Sequence, residues 1–162
     1  MMDQPIKNVL FDLDNTLIDR STAFARLFEH WYHALPITGR PTDKEEFVSR
    51  MALRGNGSEP IPDIYQDVLE EWPGSFSSLE AAVDAHFSML PNLVALHPKA
   101  ELMLRNFRAH GVPVGVITNG YSKVQWSKLR NTGIAALVEA CVVSEDLGIR
   151  KPDPAIFTMP WS

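Results

Sequence analysis

Two rhythms of apolar and polar positions divide the chain. Asn8 to Phe11 form a short apolar run, suited to a strand buried on both faces. A helical pattern follows, with Phe24, Leu27, Phe28, Trp31 and Leu35 recurring at spacings of three and four until Pro36 and Gly39 end it. TDKE, Thr42 to Glu45, reads as a capping box that opens a helix closed by Gly55. Ile64, Tyr65, Val68, Leu69 and Trp72 make a third stripe, stopped by Pro73 and Gly74. SSLE, Ser77 to Glu80, opens a fourth helix that runs to about Leu90, before Pro91. Residues 20–90 therefore read as helices alone.

Beyond them the rhythm changes. HPKAELMLRNFRAHG predicts a helix ending at Gly111, and VPVGVIT a strand ending at Thr118. SKVQWSKLRNTG predicts a helix with Gly133 past its end, and VEACVVS a strand ending at Ser144. Strand, helix, strand in this order implies an α/β protein with parallel pairing. The first strand joins the same sheet, and the helical block is an insertion after it.

Composition narrows the function classes. A 162-residue chain is long enough for one domain with an insertion, and its net charge of −5 argues against nucleic acid or an anionic membrane as partner. No stretch approaches the ~18 apolar residues of a membrane span. The N-terminal MMDQPIKNVLF lacks a signal-peptide pattern. One cysteine, Cys141, excludes an intrachain disulfide and reads as a small core hydrophobe. These features together point to a reducing, cytoplasmic setting. His30 and His33 lie three apart on a helix without a nearby third ligand, and read as surface or packing residues. RGNGSEP, Arg54 to Pro60, reads either as a substrate loop using Arg54 or as a helix-ending turn.

Ligands of open parallel sheets bind beyond the carboxyl ends of the strands. Here those ends carry Asp12 and Asp14, then Thr118 and Asn119, then Ser144 with Lys151 soon after. Such a set suits phosphoryl chemistry. Asp12 is ionised at neutral pH, so it can attack phosphorus and form a mixed anhydride that water opens. Asp14 can protonate the leaving oxygen and then take a proton from water. A divalent cation offsets the repulsion between carboxylate and phosphate, and oxygen ligands favour Mg²⁺. Lys151 adds positive charge, Thr118 a hydroxyl, and the backbone N–H groups of Asn119 and Gly120 precede a helix N-terminus. A turn just after Phe11 would let both carboxylates face one cavity while Leu13 packs inward.

DLDNTL (Asp12–Leu17), ITNG (Ile117–Gly120) and SEDLGIRKPDPAIF (Ser144–Phe157) resemble the first three motifs of the haloacid dehalogenase-like hydrolase superfamily. The resemblance implies a Rossmann-like parallel sheet, residues 1–19 and 91–162, with an inserted α-helical cap, residues 20–90. It implies Asp12 as nucleophile, Asp14 as acid/base, Thr118 and Lys151 as phosphate ligands, and Asp12 with the Asp14 backbone carbonyl as Mg²⁺ ligands. Asn119 joins the phosphate-binding set. Dehalogenating members lack the second aspartate, so Asp14 favours a phosphatase of small phosphorylated metabolites. The TNGYSKVQWSKLRNTG run is similar to nucleotidase-like and small-metabolite phosphatase members.

The family's fourth motif, an acidic Gly-Asp pattern on the next strand, has no counterpart before Ser162. The expectation is thus a core with three strands present and its C-terminal strands missing. The tail TMPWS, with Pro160 and Trp161, fits no element. Two alternatives to the phosphatase stay open: a truncated, catalytically weak remnant, and a phosphate-binding protein without turnover.

Overall fold

The computed structural model describes residues 6–37, 39–57 and 59–158. Pro160 and Trp161 lie outside the described residues. The chain divides into two units, Met1–Asp19 with Ala95–Ser162, and Arg20–Val94.

The first unit holds three parallel strands in the order β1 (Val9–Phe11), β2 (Val114–Thr118), β3 (Ala140–Val143). Phe11 pairs with Val116, and Val116 with Cys141, so these three share one row of the sheet. β2 is central and buried along its whole length, as its unbroken apolar run requires. α5 (Pro98–Ala109) connects to β2 and sets Phe107 against Phe11, ring centroids 6.1 Å apart. α6 (Ser122–Asn131) connects β2 to β3, and the one-turn α7 (Ser144–Leu147) follows β3 directly. A 3₁₀ turn, Pro154–Phe157, is opened by Asp153, whose side chain accepts from Ala155 N. It seats Ile156 in the core, fully buried.

The second unit is helical: α1 (Arg20–Ala34), α2 (Lys44–Asn56), α3 (Ile61–Glu71) and α4 (Leu79–Leu93). The predicted stripes face its interior, with Phe24, Leu27, Phe28, Ile64, Tyr65 and Val68 all buried. Each such side chain contributes about 1.5–3 kcal/mol relative to exposure. The Tyr65 hydroxyl and His86 Nδ1 share a hydrogen bond of 3.1 Å inside this core. Burial pushes the Tyr65 phenol above its ordinary range. Gly55 lets α2 approach α1: a Cβ there would sit 2.2 Å from Phe24 Cδ1. Arg20 donates to Gly55 O across the same contact (2.8 Å).

Several boundaries differ from the sequence reading. The cap of α2 is Asp43, which accepts from Glu46 N at 2.9 Å, one residue later than the TDKE box. Likewise α4 is capped by Ser78, accepting from Ala81 N at 3.1 Å, rather than by Ser77. In both places two adjacent residues could cap, and the second leaves one less residue to be held in the helix. α4 also continues through Pro91 to Leu93. A proline in the last turn removes a single helical hydrogen bond, and the Asn92 side chain adds a bond to Ser88 O (3.0 Å) in that turn. Arg54 is bound within the helical unit, to Glu59 through Nε (2.8 Å) and to Asp67 through Nη2 (2.6 Å). His30 and His33 are exposed on α1.

Candidate active site

The site forms where the strands of the first unit end. Immediately after β1 the chain tightens. The N–H groups of Thr16, Leu17 and Ile18 all donate to Leu13 O, at 3.3, 3.0 and 3.2 Å. Asn15 takes φ +58°, a left-handed conformation that asparagine tolerates. Leu13 is fully buried beneath this turn, and Asp12 and Asp14 flank it.

Asp12 and Lys151 form an ion pair, Nζ to Oδ1. The same ammonium donates to Ile117 O at 2.7 Å, so Lys151 joins the ends of β1 and β2. The Asp12 carboxylate remains 42% exposed and the Lys151 side chain 23%. Both charged groups therefore remain within reach of solvent.

The loop bearing Lys151 is fixed by Asn119. Asn119 Nδ2 donates to Lys151 O (3.0 Å), and Lys151 N donates to Asn119 Oδ1 (2.9 Å). The Asn119 side chain thus ties the end of β2 to the lysine loop. Thr118 ends β2 with its hydroxyl buried, accepting from Gln125 Nε2 at 2.5 Å.

Asp14 has surroundings unlike those of Asp12. Lys128 Nζ donates to both its oxygens, 2.8 Å to Oδ1 and 3.1 Å to Oδ2. Gln125 Nε2 adds a bond of 3.0 Å to Oδ2. The Lys128 side chain is buried, at 4% exposure, and that of Asp14 is part-buried, at 13%. Neither Gln125 nor Lys128 figures in the sequence reading. A signal existed: they lie three apart on α6, beside the buried Val124 and Leu129. Polar residues on the apolar face of a helix need partners.

At the helix N-terminus expected to receive an anion, two N–H groups meet oxygens of the chain itself. Gly120 N donates to Ser144 Oγ (3.1 Å) and Ser122 N to Glu145 Oε2 (2.7 Å). Asp146 accepts from Trp126 Nε1 at 2.8 Å and from Ser122 Oγ. Those two bonds hold its carboxyl below the ordinary carboxylate range. Acidic groups on α7 thus meet the positive end of α6. An open cavity of about 310 Å³ lies at this edge, lined by Gly120, Tyr121, Ser144, Glu145 and Arg150.

For a metal, Asp12 and Asp14 supply hard oxygen donors of the kind Mg²⁺ takes. Among the described residues no group of three or more His, Cys, Asp or Glu is placed to hold one. The donor set fits an ion bound through one or two carboxylate-bearing residues and completed by water and a substrate phosphate, as is usual for Mg²⁺. Among the described residues no helix is long and apolar enough to cross a membrane.

Comparison with known proteins identifies the family. Residues 9–159 match the family model for haloacid dehalogenase-like hydrolases. A glyceraldehyde 3-phosphate phosphatase of Methanopyrus kandleri is 28% identical, over 94% of this chain and 67% of its own length. A phosphoglycolate phosphatase of Yersinia pseudotuberculosis is also 28% identical, over 93% of this chain and 64% of its own. The chain thus spans about two thirds of the length of the curated relatives it matches. Among solved structures, the HAD-hydrolase YfnB from Bacillus subtilis, bound to magnesium, superposes with a TM-score of 0.67. It is 22% identical, and the match covers 95% of this chain and 70% of that one, a likeness of fold.

Proposed function

Because this chain belongs to the haloacid dehalogenase-like hydrolase family, we propose that it is a Mg²⁺-dependent phosphatase of small phosphorylated metabolites. One observation carries the reading: Asp12 and Lys151 meet at the strand ends while Gln125 ties Asp14 to Thr118. Two acids, a hydroxyl and an ammonium thereby surround one edge of the sheet.

Asp12 attacks the phosphoryl group and carries it as an aspartyl phosphate. Asp14 protonates the departing oxygen, then accepts the proton of the water that opens the anhydride. Lys151 draws the phosphoryl oxygens toward Asp12 and balances their charge. Thr118 adds a hydroxyl donor. Asp12 through its carboxylate and Asp14 through its backbone carbonyl would hold Mg²⁺, which would supply Lewis-acid stabilisation of charge on the phosphoryl oxygens. Positioning and electrostatics are most of what this chemistry asks of a protein. In this reading the helical unit, Arg20–Val94, is the family's cap. The two named phosphatase relatives support the substrate class, and the magnesium-bound fold neighbour supports the cofactor.

The test is phosphate release from an aryl phosphate with Mg²⁺, compared between the chain and Asp12→Asn. Turnover in the first and none in the second is the expected result. Equal background rates in both would overturn the proposal. Mg²⁺-dependent binding of a phosphate mimic would then identify a binding protein instead.

A further inference from the structure

We propose that Lys128 and Gln125 are positioning residues that hold Asp14 and Thr118 as one hydrogen-bonded unit for catalysis. The inference rests on the reading of Asp14 as acid/base given above. A lysine is almost never buried unless paired, and Lys128 lies at 3% exposure in the last turn of α6. At that position its ammonium would ordinarily serve the helix end in solvent. Instead it reaches across 114 residues of chain to both oxygens of Asp14.

Gln125, one turn earlier, completes the unit. Its Nε2 lies within bonding distance of Asp14 Oδ2 (3.0 Å) and Thr118 Oγ1 (2.5 Å), joining the ends of β1 and β2 through one amide. The glycine at 120 makes room for it. Gly120 has φ +148°, and a Cβ there would meet Gln125 Cγ at 3.0 Å.

A buried pair of opposite charges is weak evidence for stability, because desolvation offsets the attraction. Its strength is orientation. Three hydrogen bonds from α6 set the direction in which the Asp14 carboxyl faces, and the Gln125 amide ties Thr118 to the same group. Asp12 is held differently, by a half-open pair with Lys151. The two aspartates of DLD are thus separated in role by their lysines: one left accessible for attack, the other braced.

The experiment is a kinetic cycle on the full chain with an aryl phosphate and Mg²⁺. Lys128→Met is expected to lower kcat by about 10²-fold, the low end of what general acid–base catalysis contributes, with KM within about twofold. Lys128→Arg should recover most of the loss. The double variant Lys128→Met with Asp14→Asn should be no slower than Asp14→Asn alone, because Lys128 acts through Asp14. Losses that multiply, or wild-type kcat in Lys128→Met, would overturn the inference. If Lys128→Met does not fold, Gln125→Leu takes its place in the same cycle, since it leaves no charge unpaired. A second readout is independent of turnover: ¹⁵N signals of the Lys128 ammonium and the Gln125 side-chain amide. Both should shift in Asp14→Asn, and the amide in Thr118→Val. If the wild-type chain shows no turnover, the phosphatase reading falls and the catalytic role of this unit falls with it. Turnover in the wild type with signals indifferent to the substitutions overturns the inference alone.

Discussion

Asn119 grips Lys151 by its backbone: the amide donates to Lys151 O at 3.0 Å and accepts from Lys151 N at 2.9 Å. The reach of the ammonium to Asp12 and Ile117 O depends on where that backbone lies. A displacement of about 1 Å in a catalytic group can lower a rate by about 10²-fold. Asn119→Ala is therefore expected to lower kcat/KM by about that factor. Steady-state kinetics on an aryl phosphate checks it, and a rate unchanged from wild type would contradict it.

Lys151→Ala removes the charge itself. Loss of one preorganised donor to a phosphoryl oxygen costs about 10²–10³-fold in kcat. The loss should exceed that of Asn119→Ala, whose lysine is still present. Kinetics of the two variants side by side give the order.

Gly55→Ala tests the helical unit alone. The added methyl would overlap the Phe24 ring, itself buried to 1% exposure. Overpacking of this kind destabilises by about 1–3 kcal/mol. Chemical denaturation should show a lower midpoint. An unchanged midpoint would mean that Phe24 has room to move.

Asp146 carries a pH dependence. Its carboxyl titrates below the ordinary range because Ser122 and Trp126 donate to it. A depressed folded pKa means stability that is fully present above the unfolded value of about 3.9 and is lost as pH falls through the folded one. Wild type should melt above Asp146→Asn at pH 7, and the gap should close below pH 4. Thermal melts across this pH range measure it.

Cys141 should be inert. Burial pushes its thiol up to about 11, and the thiolate is the reactive form. The folded chain is expected to resist alkylation at pH 8 and to react at once when unfolded. Mass spectrometry after brief iodoacetamide treatment distinguishes the two.

The strands, the turn over Leu13 and the residues at the strand ends were legible because each is written locally. An apolar run stops, and carboxylates, a hydroxyl or a lysine follow. The fully buried Leu13 between Asp12 and Asp14 follows from a turn placed there. The capping residues slipped by one because Thr42 and Asp43, like Ser77 and Ser78, are adjacent residues that can both cap. The partner of Lys128 was illegible for a stronger reason. A basic residue near a helix end is the ordinary complement of the helix dipole. Nothing local says that a carboxylate from the other end of the chain waits above it. The bond from Gly120 N to Ser144 Oγ was not legible either, because strand pairing alone brings that oxygen close.

Asp12 and Lys151 stand 139 positions apart, so their ion pair is a clasp fastened across most of the polypeptide. Closing so long a loop is entropically opposed until the intervening sheet has formed. The clasp therefore reports assembly of the whole sheet unit rather than of any one segment. A phosphate mimic that settles against it would pull that unit toward its native state by mass action. Occupancy of the site and survival of the sheet become two faces of a single equilibrium.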